Sequence, residues 1–137
     1  MTKTFVNVAG MKSKQPRPTE TELTILKVLW DGPRSVRDVQ RVLNEAKPTG
    51  YTTVLKFLQI MTRKGLVERD EARRPQIYRV RYSQEQTQRQ LLRDLVHRAF
   101  GGSLKALVLQ ALATKKPSPE ELEAIEMLLQ RVEGGKK

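Results

Sequence analysis

Cysteine is missing from the 137-residue sequence, and histidine occurs once, at His97. A chain without cysteine has no disulfide, no thiolate metal ligand and no cysteine nucleophile, and one histidine cannot build a histidine-rich metal site. We therefore expect neither a metal nor a cofactor, and we assign His97 no role. Apolar runs of the roughly 20 residues that span a bilayer are also missing, as is the apolar stretch of a signal peptide. These absences predict a cytoplasmic protein without membrane insertion.

Acidic residues are too few to balance the basic ones. The sequence contains 26 Lys and Arg against 15 Asp and Glu, which gives a formal net charge of +11. The surplus is uneven, because residues 1–82 carry 17 basic and 8 acidic side chains whereas residues 83–137 carry 9 and 7. A charge that served solubility alone would be spread more evenly, so we expect the first part to bind a polyanion.

Two capping boxes mark the starts of the first two predicted helices. In this pattern a Ser or Thr hydroxyl accepts from a backbone amide three residues later, and an acidic side chain reaches back to the cap. Thr19 with Glu22 and Ser35 with Asp38 fit it. The first helix ends at a Gly-Pro turn just after Trp30, which we expect to anchor the core rather than to stack on a base.

The third predicted helix has one apolar and one polar side. Thr49 is expected to cap it, and it runs to about Lys64, where Gly65 suits the left-handed conformation that closes a helix. Its apolar positions are Val54, Leu55, Leu58 and Met61. Its polar positions, at helical spacing on the other side, are Thr52, Lys56, Gln59 and Arg63. One side is predicted to pack and the other to form hydrogen bonds.

A basic hairpin follows the third helix. Residues 66–70 and 77–81 are predicted to be short strands around a polar loop with two arginines. Three helices followed by such a hairpin form a winged helix-turn-helix, in which the third helix enters the major groove and the hairpin, or wing, grips the flanking backbone. The third helix would read base edges, while Arg63, Lys64, Arg73 and Arg74 would meet phosphates. The predicted DNA-binding residues are Ser35, Gly50, Tyr51, Thr52, Thr53, Lys56, Gln59, Arg63, Arg73 and Arg74.

Residues 83–137 are predicted to form three further helices, which begin at Ser83, Ser103 and Ser118. Their apolar residues are too numerous for helices of this length to hide alone, so a second copy of the chain is expected to cover them. The predicted dimerisation residues are Leu91, Leu95, Leu104, Leu107, Val108, Leu112, Leu122, Ile125 and Leu129. Packing of some of them against the DNA-binding part is the alternative.

The predicted fold is therefore mainly α with a small β-hairpin, a winged helix-turn-helix plus a C-terminal helical dimerisation region. Residues 1–17 are predicted to be a disordered basic tail, in which Met11 is a second candidate for the natural start. Residues 18–82 would form the DNA-binding domain and residues 83–137 the dimerisation domain. The acidic pairs Asp70-Glu71 and Glu120-Glu121 have no predicted pocket behind them, so no catalytic residue and no enzyme activity are expected.

Several short stretches carry a resemblance to a known family. They are Thr19 to Trp30, Val36 to Val39, Tyr51-Thr52-Thr53-Val54, Lys64-Gly65-Leu66-Val67 and the wing. In these stretches, and in the order of elements over residues 18–132, the chain resembles the BlaI and MecI type penicillinase repressors. The resemblance implies a homodimeric repressor on a pseudo-palindromic operator, in a family that controls β-lactamase, related resistance genes or copper homeostasis. Release in that family commonly follows proteolysis in the dimerisation region, triggered by a membrane sensor protease.

The chain departs from the family pattern in two places. The copper-responsive branch uses C-terminal cysteine pairs, which this sequence lacks, so direct copper sensing is not expected. In the proteolysed members the cut falls at an Asn-Phe bond in the helix after the paired glycines, and the matching residues here are Gln110 and Ala111.

The function predicted from these features is sequence-specific transcriptional repression by a homodimer, in control of resistance or stress genes. A sequence-indifferent architectural DNA-binding protein is the main alternative, because the net charge alone would also support it. A winged domain that contacts another protein is a third hypothesis. For any single polar residue of the third helix, a solvated surface position is an equally good interpretation. The hydroxyl of Tyr51 either reaches a phosphate or packs under the helix start.

Overall fold

The computed structural model of the chain describes residues 5–6 and 15–135. Most of the predicted tail, residues 1–17, lies outside the described residues. The described part is mainly helical with a small antiparallel sheet, as the sequence predicts for a winged helix. Its elements in chain order are β1 (Phe5–Val6), α1 (Glu20–Leu29), β2 (Arg34–Ser35), α2 (Val36–Asn44), α3 (Tyr51–Lys64), β3 (Val67–Asp70), β4 (Ile77–Val80), α4 (Gln84–Ala99), α5 (Leu104–Thr114) and α6 (Pro119–Gly135).

The predicted caps are confirmed for most helices. Thr19, Ser35, Ser83 and Ser118 each close a capping box with the residue three positions on, and Ser103 caps α5 by accepting from the amide of Ala106. The prediction for Thr49 is wrong. Its hydroxyl donates to the carbonyl of Lys47 at 2.9 Å, and the N-cap of α3 is Gly50.

Four short strands form one sheet in the order β1-β3-β4-β2. The wing strands β3 and β4 pair in register, with Val67 opposite Val80 and Asp70 opposite Ile77. The sequence predicts this hairpin because two short strand-like runs flank a polar loop. The outer strands are too short for such a signal, and β2 joins the sheet through the pairing of Ser35 with Ile77. This pairing joins the start of α2 to the wing.

The hydrophobic core lies where α1, α2 and α3 pack against one another and against the wing strands. Apolar residues at helical spacing supply most of it, as the sequence predicts. Trp30 packs against this core as a partly buried residue, which confirms its interpretation as a core anchor. The buried residues are Ile25, Leu26, Val28, Leu29, Val36, Val39, Val54, Leu58, Met61, Leu66, Val67 and Tyr78.

Gly65 sets the turn from α3 into β3. Its φ of 88° is in the left-handed region, where residues with a Cβ are strained. The amide of Leu66 donates to the carbonyl of Met61 at 2.9 Å, a bond that closes the end of the helix. Gly65 therefore has the closing role that the sequence predicts.

The chain divides into two compact units, one ending at Leu91 and the other beginning at Leu92. The sequence predicts this boundary after residue 82, whereas the structure keeps the first half of α4 with the first unit. Thr87 is buried there, and the side-chain amide of Gln90 donates to the carbonyl of Gln15 at 2.7 Å. Contacts with the chain segment before α1 are not visible in a local pattern, which explains the difference.

The second unit holds the rest of α4, α5 and α6. No side chain between residues 92 and 134 is buried, although α5 is strongly apolar. Gly101 and Gly102, both with positive φ, end the helix before α5 as predicted. Among the described residues, no helix combines the length and the apolar character that crossing a membrane requires.

Candidate nucleic-acid interface

The third helix separates its two predicted faces as expected. Val54, Leu58 and Met61 are at most 1% exposed and face the core. The polar positions of the other side, Thr52, Lys56, Gln59 and Arg63, are all exposed. We call these four residues the polar stripe. Thr52 and Gln59 can donate to and accept from the edges of base pairs, Lys56 can donate to them, and their size allows a helix to enter the major groove, whereas the role expected for Arg63 is a phosphate contact.

The start of α3 carries no side-chain cap. Gly50 occupies the N-cap with φ −78° and ψ 153°, values that any residue adopts. A Cβ at Gly50 would meet only the hydroxyl of Thr53, at 4.0 Å, so packing within the described chain does not require glycine either. The first amides of a helix have no intrahelical acceptor, and here no cap side chain supplies one. Gly50, Thr52 and Thr53 are exposed at this end, where an anion can approach.

Tyr51, the first residue of α3, is 41% exposed. The guanidinium of Arg37, on the first turn of α2, lies over its ring with the Cζ 5.1 Å from the ring centroid. This distance is within the range of cation–π attraction. Arg37 is absent from the sequence-based list of site residues because its partner is 14 positions away on another helix, which no local pattern shows.

Ser35 is placed differently from the exposed candidates. It is 6% exposed, and its hydroxyl accepts from the amide of Asp38 at 3.2 Å. The hydrogen bond with Ser35 lowers the pKa of Asp38, and Arg41, 3.1 Å away, contributes in the same direction. The position of Ser35 in the fold is thus that of a helix cap, and its contact with DNA stays a prediction.

The tip of the wing presents the two predicted arginines to solvent. Arg74 donates to the carbonyls of Glu71 and Arg73 at 2.8 and 2.9 Å, so its guanidinium is held against the loop's own backbone. The Nε of Arg73 lies 3.9 Å from a carboxylate oxygen of Asp70. Arg69 pairs with Glu71, which raises the pKa of Arg69. Arg73 and Arg74 are both exposed, and the buried acid near Arg73 is Asp70.

Lys64, at the end of α3, is paired with an acidic side chain of α1. Its ammonium lies 2.6 Å from the carboxylate of Glu22, which is buried. The same oxygen of Glu22 accepts from the amide of Thr19 at 2.9 Å as part of the capping box. A buried carboxylate needs such partners, because an isolated buried charge is costly. In the structure Lys64 therefore forms an ion pair between α3 and α1, and its phosphate contact stays a prediction.

A cleft opens between the starts of α2 and α3 and the tip of the wing. The residues that line it include Arg37, Asp38 and Arg41 from α2, Tyr51 from α3, and Pro75 and Gln76 from the wing. Elements that are distant in sequence meet here, because β2 joins the start of α2 to the sheet. Within the described residues, no group of three or more His, Cys, Asp or Glu side chains is placed to hold a metal ion.

The predicted dimerisation residues lie along α4, α5 and α6. Leu91 and Leu107 are partly buried in the single chain. The other seven predicted residues are between 39% and 61% exposed. Further large apolar residues share this exposure and were not in the predicted set, namely Leu92, Leu109, Met127, Leu128 and Val132. The helical spacing of apolar residues in this part of the sequence could have identified them.

Comparisons with known proteins agree with this geometry. The family model described as penicillinase repressor matches residues 18–131. Among solved structures, the chain is similar to the one described as the complex structure of hsRosR-S4, with 17% identity, a TM-score of 0.50, and coverage of 85% of this chain and 90% of that chain. At this identity the likeness shows the fold alone. No curated protein matches the sequence significantly. Because the family model extends over most of its length, the chain belongs to the penicillinase repressor family of DNA-binding transcriptional regulators, whose fold is not that of an enzyme.

Proposed function

We propose that the protein is a sequence-specific transcriptional repressor that binds a pseudo-palindromic operator as a homodimer and controls resistance or stress genes. The observation that carries this proposal is the polar stripe, because its four side chains are exposed on a helix whose other side is buried in the core. A helix held in this way offers a fixed set of donors and acceptors. Direct readout of base edges needs such a set.

The wing and the charge distribution support contacts with the backbone. Arg73 and Arg74 are exposed at the wing tip, and residues 1–82 carry most of the positive surplus. Contacts of this kind position the protein on the duplex and make its affinity dependent on salt. Sequence specificity then rests on the polar stripe.

Exposed apolar residues support the homodimer. Leu104, Val108, Ile125 and Leu129 are each at least 39% exposed in the single chain, and the two helices that carry them, α5 and α6, have no buried residue between positions 104 and 134. Apolar surface of this extent marks an interaction site, and pairing of identical copies buries the same patch on both. In such a pair, the two recognition helices reach half-sites about 34 Å apart or a multiple of that distance.

The further partner in this proposal is a membrane sensor protease with an indirect link to the repressor, and cleavage at the family's Asn-Phe position is not part of the proposal, because Gln110 and Ala111 stand there. The matching bond, between Gln110 and Ala111, lies inside α5, and both residues are exposed. A protease needs this part of the helix to open locally before it can cut. Mass spectrometry of the protein recovered from induced cells tests this point. If only the intact chain is recovered, release occurs without cleavage.

Selection of duplexes from a random library, followed by competition at physiological salt, tests the specific repressor. The selected duplex is expected to bind at least about 10³ times more tightly than a shuffled duplex of equal length. A Lys105→Ala variant, which removes one positive charge at an exposed position of α5, is the control and is expected to keep the preference for the selected duplex. Equal binding of the two duplexes would show instead an architectural protein that is indifferent to sequence.

A further inference from the structure

We infer that Arg37 and Tyr51 form a clamp for a DNA phosphate in the cleft between the two helix starts and the wing. The inference rests on the DNA-binding part of the proposed function and adds a phosphate site on α2 to it. Arg37 is exposed, and Tyr51, which lies under its guanidinium, is exposed as well. A phosphate in the cleft can therefore reach the guanidinium of Arg37 while the ring of Tyr51 holds that guanidinium in place.

The charges that line the cleft leave Arg37 as the available cation. Asp38 is held by the cap of α2 and by Arg41, whose guanidinium lies 3.1 Å from its carboxylate. Across residues 15–135, Arg37 forms no ion pair, and its guanidinium lies against the ring of Tyr51. An anion that enters the cleft thus meets one guanidinium that no carboxylate neutralises. Pro75 and Gln76, on the opposite wall, add no charge of either sign.

The stack with Tyr51 prepares Arg37 for this contact. Cation–π contact uses the face of the guanidinium, whereas its N–H groups point outward in its plane. Those in-plane donors match two oxygens of a phosphate. The ring also restricts the rotamers of a long side chain, so less conformational entropy is lost when the phosphate binds. Tyr51 acts as a positioning residue in this scheme, through its ring rather than its hydroxyl.

The location of the pair gives it a role that neither the polar stripe nor the wing tip has. Arg37 belongs to the first turn of α2 and Tyr51 is the first residue of α3, so the pair bridges the two helices of the helix-turn-helix motif. A phosphate bound there fixes the start of the recognition helix relative to the backbone. Such a contact carries no sequence information and affects all duplexes alike.

Salt titrations with a mixed-sequence DNA duplex, followed by fluorescence anisotropy, test the clamp. Arg37→Ala is expected to weaken binding about tenfold and to reduce the slope of log K against log salt by about one for each copy of Arg37 in the complex. Arg89→Ala removes an equal charge from an exposed position on α4 and is expected to leave the slope unchanged. Equal losses in the two variants would overturn the clamp, because they would report net charge alone.

Variants of Tyr51 test the stack itself. Tyr51→Phe keeps the ring and is expected to bind like the wild type, whereas Tyr51→Leu is expected to lose about threefold in affinity, the equivalent of roughly 0.6 kcal/mol. In the Arg37→Ala background, Tyr51→Leu is expected to have no further effect. Additive losses, or a loss in Tyr51→Phe equal to that in Tyr51→Leu, would overturn the role of the ring.

The outcomes separate this inference from the proposed function. If Arg37→Ala leaves the salt slope unchanged while the wild type still prefers its selected duplex, the clamp is wrong and the specific repressor stands. If the slope falls as expected but the wild type shows no preference between duplexes, the clamp stands and sequence-specific repression is wrong. Circular dichroism of each variant verifies that the fold is retained, as expected for substitutions at exposed positions.

Discussion

The two units of the chain differ in how much apolar surface a single copy buries. In the first unit, Val39, Leu58, Met61, Val67 and Tyr78 have no solvent exposure. Between residues 92 and 134, no side chain is buried. The first unit therefore has a hydrophobic core of its own, whereas the helices of the second unit leave their apolar side chains exposed in a single copy.

Apolar composition does not explain this difference. The sequence of α5, LKALVLQALAT, is strongly apolar, yet the helix has no buried residue. The sequence of α2, VRDVQRVLN, is polar overall, yet the helix buries Val36 and Val39. Burial is decided by whether the folded chain supplies a surface that fits the apolar side. For α2 the surface is α1 and α3, and for α5 we propose a second copy of the chain.

A substitution in the core of the first unit is expected to have the largest effect. Leu58→Ala removes a fully buried side chain and is expected to lower the free energy of unfolding by about 2–5 kcal/mol. Urea denaturation measures this loss, which is expected to be independent of protein concentration. Gln59→Ala, at the next and exposed position, is the control and is expected to change stability by less than about 0.5 kcal/mol. A loss below about 1 kcal/mol for Leu58→Ala would contradict a tightly packed core.

A charge in the second unit is expected to act on assembly and not on the fold of the first unit. Ile125→Asp places a carboxylate on the surface that we assign to the dimer, where burial of one isoleucine contributes about 1.5–3 kcal/mol. We expect the dissociation constant of the dimer to rise at least about tenfold in sedimentation, with DNA affinity falling in parallel. Glu126→Ala, one position further on, is the control. An intact Ile125→Asp dimer would remove Ile125 from the interface.

A substitution in the polar stripe is expected to change affinity while both units keep their structure. Lys56→Ala is expected to lower the affinity for the selected duplex by about 1–3 kcal/mol and to relax base preference at one position of each half-site. Competition with single-base variants of that duplex measures the effect. Lys27→Ala, at an exposed position of α1, is the matched control. A uniform loss across all duplexes would identify Lys56 as a phosphate contact.

Removal of a helix cap is expected to have the smallest effect. Ser35→Ala is expected to lower the stability of the first unit by about 1 kcal/mol at neutral pH. Hydrogen bonding from Ser35 to the Asp38 carboxylate holds the pKa of Asp38 below its unfolded value, so that part of the contribution is present above the unfolded pKa and is lost as the pH falls through the folded pKa. Urea denaturation at neutral and acidic pH measures the difference. Ser35→Thr keeps a hydroxyl and serves as the control. If Ser35→Ala lost the same amount of stability at both pH values, the link to Asp38 would be excluded.

Local patterns predicted most of the winged unit. The capping boxes at Thr19 and Ser35, the closing Gly65 and the hairpin strands follow from short-range hydrogen bonding and from periodicity, both of which are written in neighbouring residues. The cap of α3 was missed because the hydroxyl of Thr49 donates within the preceding turn, to the carbonyl of Lys47, and does not accept from an amide of α3, whose N-cap is Gly50. The hydroxyl of a threonine before a helix can form a hydrogen bond within a turn or can cap the helix, and sequence alone does not decide between the two.

The contacts of the candidate interface were less predictable. The exposure of Lys56 follows from the period of α3, but the pairing of Lys64 with Glu22 joins residues 42 positions apart. The stack of Arg37 on Tyr51 and the boundary at Leu91 likewise depend on how distant elements meet. Charge counts show that a basic residue is present, and only the packing of the helices shows which basic side chains already have an acidic neighbour.

One carboxylate oxygen of Glu22 accepts both the backbone amide of Thr19 and the ammonium of Lys64. The first turn of α1 and the last turn of α3 are therefore held by the same carboxylate, although they belong to different parts of the sequence. When α1 frays, the carboxylate moves with it, and Lys64 loses its anchor in the same event. We therefore expect hydrogen–deuterium exchange at these two helix ends to be coupled, with the two ends opening and closing together.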